Sequence, residues 1–364
     1  MSARPVKVAV AVVLAVAATW FVTRTALGAP HGAIAWRVPL ADGPSDLAAD
    51  AGGVVVTTSA SSVYLLAPDG RVRWRALAGD LALGQPALGP DVVVVGGTAS
   101  VTAFSRADGS LRWSRPRAAA ANSLVVAGDT VLVGDDSGTL AALDAATGHD
   151  RWSVQHHGAL WSGARVDPAT GAVVATWHQS ESAAVRVFDL ATGALRWEGP
   201  TDRYTAAPSV HGGRVVLAVG DGDRHARVEA RDLATGAVQW QTDVPASFEE
   251  AIEPAVDDRG VAVVDHFGVV TVLDVATGRI RWQHDLADVL VATRVVLTGA
   301  RVAVTSYAGV LHVLDRRDGH VVQRLGPGRL GGLPVAIAPA TGTREGVLVA
   351  LRLRDWGVQL RRLP

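Results

Sequence analysis

Glycine followed four residues later by tryptophan recurs at Gly32/Trp36, Gly70/Trp74, Gly109/Trp113, Gly148/Trp152, Gly193/Trp197, Gly236/Trp240 and Gly278/Trp282. An eighth copy, Gly319/Gln323, has no tryptophan. Successive glycines stand 38, 39, 39, 45, 43, 42 and 41 residues apart, the period of four-stranded propeller blades rather than of leucine-rich repeats. Between the tryptophans lie β-branched runs such as Val54-Val55-Val56, Val92 to Val95, Val131-Leu132-Val133, Val215-Val216-Leu217 and Val302-Ala303-Val304, bounded by glycine and aspartate turns. No long segment of helical period follows the N-terminus, which excludes stacked helical pairs.

Each unit reads as strand A, a glycine-rich turn, strand B, a short loop, strand C ending in Leu-Asp or similar, an Asp-x-x-Thr-Gly corner and strand D with its tryptophan. Asp and Thr can hydrogen-bond their own backbone, and Gly supplies a positive φ that other residues resist, so the corner sets the register. The chain opens on a lone strand D, Gly32 to Leu40. It closes on Val347–Leu351 and Val358–Leu360, which align with strands B and C and have no D after them. Joining the two ends predicts an all-β fold: an eight-bladed β-propeller of four-stranded antiparallel blades, closed by an N-terminal strand that completes the last blade.

The first 28 residues follow a different grammar. Arg4 and Lys7 precede an apolar run from Val8 to Val22, followed by Arg24 and the small residues Ala26 to Ala29. This predicts an apolar helix in residues 1–28, either a signal peptide cleaved near Gly28 or an anchor retained through residues 8–23. Residues 29–364 form the propeller domain. The expected location is extracytoplasmic, membrane-anchored or secreted. A net charge of −1 gives no basic field for phosphate backbones, so nucleic acid is not an expected partner. The chain has no cysteine, which removes disulfides, thiolate metal sites and a lipid-modified N-terminal cysteine.

The repeat resembles that of the PQQ-type, quinoprotein-like propeller family, whose signature is close to A-L-D-A-x-T-G-x-x-x-W; Ala142 to Trp152, ALDAATGHDRW, matches it throughout. The resemblance covers about residues 32 to 364. It implies that Trp36, Trp74, Trp113, Trp152, Trp197, Trp240 and Trp282 dock blade against blade. A large aromatic at one fixed position per repeat points independently to packing. The chain also looks like the propeller lipoproteins that scaffold outer-membrane β-barrel assembly, departing from them in the missing cysteine, and like extracytoplasmic sensor propellers.

Catalytic patterns are sparse. There is no Gly-x-Ser-x-Gly elbow, phosphate-binding loop or His-Glu-x-x-His motif. The dehydrogenases of the resembled family are implied to use a calcium or lanthanide site of Glu, Asn and Asp, yet Asn122 is the single asparagine and no acidic cluster surrounds it. No catalytic residue, cofactor or metal ligand is therefore assigned; the rival reading would use PQQ with calcium. His156, His157 and His178 suit a transition metal in residue type, but adjacent strand residues point to opposite faces.

Strand alternation puts the A–B and C–D connections on one face of the disk and the B–C and D–A connections on the other. The second face collects the residues that break the repeat: His156, His157 and Trp161; Trp177, His178, Gln179 and Glu181; Arg203 and Tyr204; Phe248, Glu249 and Glu250; Asp265, His266 and Phe267; and Tyr307. Variable loops on a rigid scaffold concentrate binding residues, so a binding surface is expected over blades four to seven. The alternative is that these aromatics plug the centre of the ring. The leading expectation is a non-enzymatic, monomeric propeller that presents this face to an unknown envelope protein, near a membrane reached through its N-terminal segment. The rival classes are a small-molecule-binding or PQQ-dependent enzyme and a purely structural envelope propeller.

Overall fold

The computed structural model describes residues 23–24, 34–160, 163–179, 182–202, 204–220, 226–244, 253–265, 267–288, 295–306, 308–327, 333–339, 346–352 and 357–362. Eight antiparallel sheets form the blades. They span residues 44–77, 82–116, 121–155, 165–201, 204–244, 255–285 and 296–325, and the eighth combines 333–362 with 34–39. In each blade the first strand, A, lies beside the first strands of both neighbouring blades, so the eight A strands surround a central axis. Strand D is outermost. Strands B, such as Gly53–Thr58, Val92–Gly97 and Thr130–Asp135, are buried along their whole length because a neighbouring blade covers each face.

The closure matches the expectation from the sequence. Ile34–Pro39 runs antiparallel to Gly357–Arg362, with Trp36 opposite Leu360 and Val38 opposite Val358. Thr23–Arg24 add a short fifth strand outside it, opposite Arg37 and Trp36. Thr23 and Arg24 are thus extended rather than helical; the rest of residues 1–28 lies outside the described residues. Among the described residues, no helix is long and apolar enough to cross a membrane.

The tryptophans join neighbouring blades, and the seven repeat glycines from Gly70 to Gly319 each pair with the tryptophan of the preceding blade rather than with the one in their own repeat. Trp113, on strand D of blade 2, lies against the corner of blade 3, where its indole N–H donates to Ala145 O at 2.9 Å. A Cβ on Gly148 would lie 2.6 Å from Trp113 Cδ2, so only glycine leaves room for the ring. The same two contacts recur for Trp36 with Pro68 and Gly70, Trp74 with Arg106 and Gly109, Trp152 with Leu190 and Gly193, Trp197 with Leu233 and Gly236, Trp240 with Val275 and Gly278, and Trp282 with Arg316 and Gly319. Gly319 therefore does have its tryptophan. Gln323 stands at the seam, where strands C and D of blade 8 come from opposite ends of the chain, and Gly32, the remaining glycine of the repeat, lies outside the described residues.

A β-bulge re-aims the residue before each tryptophan. Pairing of strands C and D slips by one residue in every blade, as between Ala142↔Trp152 and Leu143↔Asp150. The bulged Arg151 turns back to Asp144 at 2.7 Å and to Asp129 of the A–B turn at 2.8 Å. Asp144 Oδ1 meanwhile accepts from the N–H groups of Ala146 and Thr147 and the Thr147 hydroxyl. Asp189 with Arg196 and Asp274 with Arg281 repeat the arrangement. The arginine and threonine hydrogen bonds hold the carboxyls of Asp144, Asp189 and Asp274 down to about 2.

Two outcomes test this architecture. Gly148→Ala forces a Cβ into Trp113 at a φ of +70°, whereas Gly128→Ala meets nothing at a φ of +61°. Denaturant unfolding should show a loss of about 1 kcal/mol for Gly128→Ala and about 1–3 kcal/mol more for Gly148→Ala. In acid, carboxyls with depressed folded-state values contribute stability above the unfolded-state value near 4 and lose it as pH falls toward 2. Thermal midpoints should drop across that window, and Asp144→Asn should flatten the drop.

Candidate binding face

The D–A and B–C connections share one end of the blades, and hydrogen bonds tie them together. Asp80, in the connection from blade 1 to blade 2, accepts from the Thr98 hydroxyl at 2.6 Å and from the Ala99 N–H at 2.8 Å. Between blades 3 and 4 the connection after strand D folds back on strand B. Ala159 and His178 exchange backbone hydrogen bonds at 3.0 Å, and Leu160 is fully buried. Gly158 permits this approach, with a φ of +100° and the His178 carbonyl where a Cβ would stand.

His156 and His157 separate across this segment. The His156 ring meets Trp177 edge-on with centroids 5.0 Å apart, and Trp177 meets Phe188 likewise at 5.6 Å. Arg186 covers the Trp177 ring, its guanidinium carbon 5.2 Å from the centroid, and donates to Glu198 at 3.0 Å. Burial, with Arg186 beside it, pushes the His156 imidazole below its usual value and favours the neutral ring. His157 is exposed, and its carbonyl accepts from the Gln179 side chain at 3.4 Å.

Three of the expected contact residues take other roles. Trp177 and His178 lie within strand B, Ala172–His178, rather than in a loop. Trp177 is 1% exposed and donates its indole N–H to Gly138 O of blade 3 at 2.8 Å, so it packs blade against blade. Asp265 is likewise buried, its carboxylate accepting the Val269 N–H at 2.7 Å to close the B–C turn of blade 6. Strand alternation and turn capping outweigh the departure from the repeat that singled them out. Phe267, on the same turn as Asp265, is 58% exposed. Tyr204 sits in a short strand added to blade 5 opposite Gly220. Trp161, Glu181, Arg203, Phe248, Glu249, Glu250, His266 and Tyr307 lie outside the described residues. Among the described residues, no group of three His, Asp or Glu side chains could hold a metal.

The sequence reading missed two features of this face. Arg165, at the start of strand A of blade 4, pairs with Glu253, which precedes strand A of blade 6; its Nε donates to Glu253 Oε1 at 2.8 Å. This ion pair straps blades 4 and 6 together across the inner strand of blade 5. Its signal was an arginine where the other innermost strands begin with Pro, Ala, Ser, Val or Leu. Leu77 and Leu81, 66% and 47% exposed, flank the connection from blade 1 to blade 2. They lie between blades 1 and 2, outside the expected arc of blades four to seven.

Comparison with known proteins follows the fold. The family described as outer membrane protein assembly factor BamB matches residues 22–242, 137–288 and 224–326. The chain belongs to that family. BamB from Moraxella catarrhalis superimposes with a TM-score of 0.72 at 18% identity, covering 94% of this chain and 98% of that one. The computationally designed Ika8 protein gives a TM-score of 0.74 at 16% identity, covering 89% of this chain and 98% of the design. A quinohemoprotein alcohol dehydrogenase, ADHIIG from Pseudomonas putida HK5, gives 0.69 at 13% identity over 91% of this chain and 76% of the enzyme. At these identities the structures establish the propeller fold alone. No curated protein matches the sequence.

The two kinds of residue on this face should separate on substitution. Trp177→Ala should cost about 3–5 kcal/mol in denaturant unfolding, as expected for a buried aromatic. His157→Ala and Phe267→Ala should stay within about 0.5 kcal/mol of the parent, as exposed positions do.

Proposed function

We propose that the chain is a protein-interaction propeller of the cell envelope, which presents its D–A and B–C face to a partner protein. The observation that carries this reading is the contrast between the faces. Corners on one side are stapled shut by repeated Asp–Arg–Thr hydrogen bonds, while the other carries exposed, non-repeating side chains such as Phe267 and His157 on braced loops. Membership in the BamB family supports a partner that is itself an envelope protein. Anchoring through residues 8–23, or release after cleavage near Gly28, belongs to the same proposal. The candidates outside the described residues, Trp161, Arg203, Phe248, Glu249, Glu250, His266 and Tyr307, belong to the same proposed surface over blades 4 to 7.

A second reading, a quinone-dependent oxidoreductase, draws on the fold shared with the alcohol dehydrogenase. Among the described residues, no three His, Asp or Glu side chains stand together as a metal site.

A photo-crosslinking residue in place of Phe267 should capture a discrete envelope protein in native membranes, and the same residue in place of Thr192 on the corner face should not. Equal capture from both positions, or none from Phe267, would overturn the face assignment. Expression with PQQ and calcium, followed by absorbance and dye-linked turnover with alcohols and sugars, should give neither chromophore nor rate; a bound quinone would displace the scaffold reading.

A further inference from the structure

The first described strand fixes the direction from which the chain reaches the ring. Thr23 lies opposite Arg37 and Arg24 opposite Trp36, so Thr23–Arg24 runs antiparallel to Ile34–Pro39 on the outer edge of blade 8. Strand D of a blade starts at the C–D corner and ends at the D–A connection. Residues ahead of Thr23 therefore approach from the end of blade 8 that bears the D–A and B–C connections. The apolar run Val8 to Val22 stops immediately before Thr23. As a helix its 15 residues would rise roughly 22 Å, at about 1.5 Å each, against a hydrocarbon core of roughly 30 Å. A retained anchor thus has no residue to spare as a linker, and Thr23 stands at the membrane surface.

The same end of the adjoining blades presents apolar side chains and little charge. The connection from blade 1 to blade 2, Ala76-Leu77-Ala78-Gly79-Asp80-Leu81-Ala82, holds one charged residue. Leu77 and Leu81 are 66% and 47% exposed, and a Cβ on Gly79 would meet nothing within 4 Å, so the connection projects into open space. Asp80 turns its carboxylate back to the B–C turn of blade 2, where it accepts from the hydroxyls of Thr98 and Ser100 and the Ala99 N–H. The B–C turns of blades 1 and 2, residues 59–61 and 98–99, carry no charge, and Ala60 and Ala99 are exposed there.

We propose that the D–A and B–C end of blades 8, 1 and 2 rests on the surface of a lipid bilayer, with Leu77 and Leu81 among the headgroups. Lipid is the occupant because the chain preceding Thr23 brings an apolar anchor to this end of blade 8, and the turns beside it offer exposed leucine without exposed acid. The inference rests on the anchoring proposed above and on retention of the segment, since cleavage near Gly28 would remove Thr23–Arg24 from the edge. The partner protein proposed over blades 4 to 7 takes the opposite arc of the same face.

The chain has no cysteine, so single thiols report position in the intact protein. The full-length chain extracted from native membranes and placed in phosphatidylcholine vesicles should retain residues 1–28 by mass. A nitroxide on Leu81→Cys should then collide with oxygen, which concentrates in lipid, in preference to a water-soluble nickel chelate. The oxygen-to-nickel ratio should exceed that of Ala191→Cys, an exposed corner position on the other face, by at least about threefold, as for a side chain about 5–10 Å into the headgroup boundary. Leu77→Cys should match Leu81→Cys. A mass lacking residues 1–28 would overturn the anchoring and this inference together. With the segment present, equal ratios at positions 81 and 191 would overturn the orientation alone. Protection of position 81 from both reagents, the mark of a covering protein segment, or spin–spin broadening between copies, the mark of a dimer, would overturn it as well.

Discussion

An indole lying flat on a glycine holds this ring together. Each blade alone is a small sheet with two apolar faces, and it is stable only when both are covered. The tryptophan on the outer strand reaches across to the next blade, covers the glycine of that corner and donates its N–H to a carbonyl beside it, so one side chain supplies both burial and direction. The corner must present a bare backbone and a carbonyl at fixed positions. That requirement explains the Asp, Thr and Gly of the turn and the bulge that brings arginine back to brace it.

Two blades add a second clamp at the same place. Arg106 and Arg316 each give their carbonyl to a tryptophan and their guanidinium to an aspartate in the A–B turn of the preceding blade, Asp50 and Asp257. Burial opposes ionisation of both carboxyls, but the arginine hydrogen bonds outweigh it and hold them below the usual range. Blade 7 needs such a clamp more than most. It adjoins the seam, where Gln323 stands in place of the tryptophan.

The repeat made the fold legible because it imposes the same residue types at the same spacing in unit after unit. It could not show which copy of the glycine meets which tryptophan, since the partners belong to neighbouring units and both arrangements have the same period. The candidate face was less legible. Departure from the repeat picked out Phe267, which is exposed, and Trp177, which is buried, with equal force, because a sequence mismatch does not record the side of the strand on which a residue falls. Arg165 and Glu253 lie 88 positions apart, and only the curvature of the ring brings them together.

Closure by Ile34–Pro39 against Gly357–Arg362 has a consequence for synthesis. The strand that completes the last blade is made first and must wait, unpaired, while every other blade emerges. Until then the growing arc has two raw ends, and any outer strand can find the wrong neighbour.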